Sequence, residues 1–84
     1  DLRIAQPGAR FGVPVARLGF PMAPAEVAMV VEAAGPDLAA EFLLEARLID
    51  GEAALRRGLV HRLAKDAAAE AWASAERIAV LPAE

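Results

Sequence analysis

The chain has no cysteine, threonine, tyrosine or asparagine, and only one serine and one histidine among its 84 residues. Without cysteine there is no disulfide and no thiolate nucleophile, which fits a cytoplasmic setting. A Ser-His-Asp arrangement would have to use Ser74, which lies in an alanine-rich stretch with nothing to prepare it as a nucleophile. His61 alone cannot furnish a zinc site. No glycine-rich phosphate loop or dinucleotide fingerprint occurs. No apolar run approaches the ~20 residues of a membrane span, so no membrane partner is expected. The net charge of −3 argues against a nucleic-acid partner. What remains for chemistry is carboxylates and backbone amides.

What the chain has in quantity is alanine and aliphatic residues, with 57% hydrophobic content. Alanines suit helices but bury little area each. A chain this short also buries a small fraction of its surface, so its stability alone is marginal. That balance predicts apolar surface that expects a partner, either further chain or another subunit. The opening Asp1-Leu2-Arg3, without an initiator Met, reads as the inside of a longer protein.

The pattern along the chain is α/β with helices predominating and no internal boundary across residues 1–84. Leu2 and Ile4 alternate with charged neighbours as a short strand, and Gln6-Pro7-Gly8 turns the chain. Phe11, Val13 and Val15 alternate again, but Pro14 makes this irregular or edge structure. A helix is expected from Ala23 to Ala34, burying Val27, Val30, Val31 and Ala34. Gly35 ends it, and Pro36 and Asp37 start another to about Ala46, with Asp37, Glu41 and Glu45 as a solvated stripe. Leu48-Ile49 is extended, and Asp50 caps a short helix that Gly58 terminates. After an extended Leu59–Leu63, Asp66 caps a last helix with Ala68, Ala71, Trp72, Ala75, Ile78 and Ala79 on one face. Trp72 is expected to pack that helix against the body or a neighbouring subunit.

Two blocks carry more than pattern. The run Phe11-Gly12-Val13-Pro14-Val15-Ala16-Arg17-Leu18-Gly19 resembles the crotonase (enoyl-CoA hydratase/isomerase) segment Phe-Gly-x-Pro-Glu-x-x-Leu-Gly. Further on, Ile49-Asp50, Ala54 and Gly58-Leu59-Val60 resemble that family's Gly-x-x-Ile-Asp-x-x-x-Ala-x-x-x-Gly-Leu-Val passage. The likeness runs from Asp1 to about Leu81, about a third of the family's catalytic domain. It implies the middle-to-late section of a ClpP/crotonase-like spiral.

The resemblance also implies chemistry. Crotonase-like enzymes hold an acyl-CoA thioester carbonyl between two backbone N–H groups and stabilise its enolate. Those groups lie upstream of the stretch that matches here. Val15, Leu18, Gly19, Phe20 and Met22 would line the acyl pocket. Coenzyme A would enter as part of the substrate, with no metal or redox cofactor, and the assembly would be a homo-oligomer, a trimer or hexamer.

Val15 stands where hydratases carry one of two catalytic glutamates, and an isopropyl group cannot exchange a proton. Either ordinary hydration is lost or an acid comes from elsewhere. Some branches place a carboxylate eight positions on, which here is Ala23. Branches that decarboxylate tolerate an apolar residue at the glutamate position, but can carry a tyrosine where this chain has Met22. Glu26 is the nearest carboxylate to the altered wall, with two readings: a displaced catalytic acid, or a residue favoured in a helix's first turn. Arg56, Arg57, Arg62 and Lys65 could meet a CoA phosphate or simply form a solvated face, and His61 is expected to be structural or superficial. A non-catalytic crotonase-like interaction module and an inactive fragment are the other readings of the whole.

Overall fold

The computed structural model describes residues 1–19 and 21–82. Through them the chain runs β1 (Ile4–Ala5), β2 (Arg10–Phe11), α1 (Val15–Leu18), α2 (Pro24–Ala34), α3 (Pro36–Glu45), β3 (Ile49–Asp50), α4 (Gly51–Arg56), β4 (Arg62–Leu63) and α5 (Ala67–Ala79). Prolines open α2 and α3, where a missing N–H costs nothing. Gly35 ends one helix and begins the other at φ 83°, a conformation a side chain would strain. Asp50 and Asp66 cap α4 and α5: their carboxylates accept the Ala53 N–H at 2.8 Å and the Ala69 N–H at 3.0 Å.

Each strand is two residues long and pairs once among the described residues. β1 pairs with β4 in parallel, Ile4 opposite Arg62, and β2 pairs with β3 antiparallel, Phe11 opposite Ile49. Two-stranded pieces of this length do not persist alone, and here helices cover them. Arg3 and His61 lengthen the first pair reciprocally. The Arg3 N–H donates to His61 Nδ1 at 2.9 Å, and the His61 N–H donates to the Arg3 carbonyl at 2.8 Å. The Arg3 guanidinium donates to the carbonyls of Ala33 and Leu59, tying β1 to the end of α2. His61, expected to be structural or superficial, is exposed and accepts the Arg3 backbone N–H.

The core lies where α3 and α4 meet the strands. Leu38, Phe42, Ile49, Ala54, Leu59 and Val60 are buried in one cluster. Fully burying a Leu or Phe side chain stabilises by about 1.5–3 kcal/mol, so Leu38 and Phe42 dominate a core otherwise rich in alanine. Among the described residues, no buried side-chain nitrogen or oxygen lacks a partner.

The molecule is nevertheless flat. Its extents are 45 × 31 × 19 Å and its radius of gyration 14.9 Å, against about 12 Å for a compact domain of this length. Leu18, Met29, Leu44, Trp72, Val80 and Leu81 are exposed, as the excess of apolar residues foretold. No helix among the described residues is long and apolar enough to cross a membrane.

Two expectations need correction and one, for Trp72, is narrowed. Val31 is exposed, because the inner face of α2 turns through Val30, Ala33 and Ala34 instead. Trp72 is 72% exposed and does not pack α5 against this body. The helix approaches β1 through other residues: Ala71, Ser74, Ala75 and Ile78 line a cleft with Leu2 and Ile4. One position on from Ala71 is about 100° round the helix, which carries Trp72 outward. The stripe Asp37-Glu41-Glu45 is not uniformly solvated either. Glu41 binds both Arg47 and Arg57, so its carboxylate joins α3 to the end of α4.

Candidate functional site

The segment from Gly12 to Glu26 is set by glycines and prolines before any side chain matters. Gly12 lies under the chain that enters β3, where a Cβ would meet the Leu48 side chain and lie 3.0 Å from the Arg47 carbonyl. Pro14, at φ −82° and ψ 12°, starts α1, and its carbonyl accepts the Leu18 N–H at 3.2 Å. Gly19 closes that single turn at φ 70°, donating its N–H to the Val15 carbonyl. Irregular or edge structure is expected over Phe11–Val15; Phe11 ends the short strand β2 and Gly12 and Val13 are irregular, as expected, but Val15 already begins a turn of helix. Pro14 followed by a glycine five positions on is the hint that the sequence holds.

Val15 is therefore the first residue of α1 and is half-buried. Leu18 is exposed, Gly19 is the left-handed cap, and Met22 is half-buried between α1 and α2. Phe20 lies outside the described residues. Glu26 is exposed in the first turn of α2, and its Oε1 accepts the Ala23 backbone N–H at 2.9 Å. Alanine has no oxygen to return the contact, so this is half of a capping box. The only acidic residue of 12–26 is thus engaged at a helix end.

An open apolar cleft of about 320 Å³ lies beside this segment, between β2 and α2, lined by Phe11, Val13, Met29, Val30 and Ala33, with Phe42 and Leu59 beneath. Among the described residues, none of the candidates Val15, Leu18, Gly19, Met22 and Glu26 lines it. The alternation of Phe11 and Val13 marks one wall in the sequence, but nothing there marks Met29.

Charge gathers elsewhere. A hydrogen bond from Arg57, and then one from Arg47, hold the Glu41 carboxyl below the usual glutamate value despite partial desolvation. The same bond holds Arg57 above its ordinary value. Hydrogen bonds from Arg62 and then Arg77 lower Glu70 in the same way. Of the cations considered for a phosphate, Arg57 and Arg62 are therefore paired with carboxylates, and Arg56 and Lys65 stay exposed. Among the described residues, no three His, Asp or Glu side chains come together as a metal site.

The sequence profile of enoyl-CoA hydratase/isomerase matches residues 1–81. Among solved structures, an enoyl-CoA hydratase/carnithine racemase from Magnetospirillum magneticum superposes with a TM-score of 0.85 at 40% identity over 94% of this chain. An enoyl-CoA hydratase/isomerase from Pseudoalteromonas atlantica gives 0.85 at 32% identity over 98%. The enoyl-CoA hydratase EchA8_6 from Mycobacterium marinum gives 0.80 at 32% over 98%. The chain spans 30%, 34% and 38% of those three structures. No curated protein matches it significantly.

Proposed function

The chain belongs to the enoyl-CoA hydratase/isomerase family, and on that premise we propose that it is the middle-to-late part of a single domain that binds an acyl-CoA thioester and stabilises its enolate. The carrying observation is the segment Phe11–Gly19, which keeps the family's residues on both sides of Val15 while replacing the glutamate. Val15, Leu18, Gly19, Phe20 and Met22 form the acyl-facing wall in this reading. The oxyanion-binding N–H groups come from elsewhere in the domain.

An apolar residue at position 15 removes one route for activating water. Isomerisation and decarboxylation of an acyl-CoA stay open, whereas hydration would need an acid from outside this wall. Coenzyme A arrives as part of the substrate. A cytoplasmic homo-oligomer accords with the absence of cysteine and with the exposed Trp72, Val80 and Leu81.

A second reading, a non-catalytic module that keeps the fold and binds acyl-CoA without turnover, is favoured by one observation. Glu26, the only acidic residue of 12–26, is engaged by the Ala23 N–H. Calorimetric titration of the longest native form with acyl-CoA and its unacylated parent thiol, followed by product analysis with enoyl-CoA and malonyl-type CoA esters, separates the two. Binding with product supports the enzyme; binding without product supports the module. No thioester-dependent binding overturns both.

A further inference from the structure

We draw no further inference here: the strongest candidate, the open apolar cleft between β2 and α2, has the core residues Phe42 and Leu59 for its floor, and nothing in the structure shows whether further chain, a second copy or a ligand covers it.

Discussion

The Glu26 carboxylate folds back three residues to accept the Ala23 backbone N–H at 2.9 Å, so the first acid after Val15 in the sequence serves the start of α2. An amide oxygen at position 26 accepts the same bond. Glu26→Gln is therefore expected to keep the stability of the parent, and Glu26→Ala to lose up to about 1 kcal/mol in denaturant titration. Turnover decides the role. A capping residue leaves the Gln variant's activity unchanged, whereas a catalytic acid drops it by about 10²–10⁴-fold with stability intact.

Val15 offers the converse experiment. It is half-buried at the first position of α1, so a longer side chain has solvent to reach. Val15→Glu is expected to change stability by no more than about 1 kcal/mol. In the longest native form it is expected to raise enoyl-CoA hydration by about 100-fold or more, the usual scale of a positioned acid or base. A well-folded variant that binds acyl-CoA yet hydrates no faster than the parent would show that more than this glutamate is missing.

Glu41 sets a pH dependence whose direction follows from its partners. Its carboxyl is lowered by Arg57 and Arg47, so the folded chain holds fewer protons than the unfolded one over the acidic range. This contribution is complete above the ordinary glutamate value and fades as pH falls through the depressed one. Melting curves taken from neutral pH to about pH 3 should fall less steeply for Glu41→Gln than for the parent. Added salt at neutral pH should narrow the gap between them, because these groups are solvent-accessible. Parallel acid profiles would mean that the pairs contribute nothing in solution.

Much of the framework is legible because its boundary residues act locally. Asp50 and Asp66 cap helices by accepting a backbone N–H three residues on, Pro24 and Pro36 open helices where no N–H is needed, and Gly35 takes the positive φ between two of them. Ala46 is not legible. It occupies the left-handed region at φ 54° while 7% exposed, ending α3 where the family passage has its leading glycine. Such a conformation costs a non-glycine residue about 1–2 kcal/mol, and no local pattern in alanine announces it. For α5, apolar periodicity names the right side of the helix, since Ala71, Ala75 and Ile78 line the cleft against Leu2 and Ile4, but it cannot tell that Trp72 lies at the solvent-facing edge of that side. At the candidate site, the motif marks Val15, Leu18 and Gly19, while the β2–α2 cleft depends on two elements separated along the chain.

Two glycines separate steric fit from backbone freedom. Gly51 begins α4 with its N–H on the Pro7 carbonyl at 3.1 Å, and a Cβ there would press on the Gln6 carbonyl oxygen and lie 2.9 Å from that of Pro7. Both obstacles are backbone, so no side-chain rotation relieves them. Gly51→Ala is expected to destabilise by about 1–3 kcal/mol. At Gly19 an added methyl would have nothing within 4 Å, but the backbone sits at φ 70°. Gly19→Ala should therefore cost about 1–2 kcal/mol through conformation alone. Chemical-denaturation midpoints give both values, and a second substitution tells the causes apart. Gly19→Asn should recover part of the loss, since asparagine tolerates the left-handed region, whereas Gly51→Asn should be no better than Gly51→Ala. Equal recovery at both positions would mean that the close approach of α4 to the Gln6–Pro7 backbone is not what requires glycine at position 51.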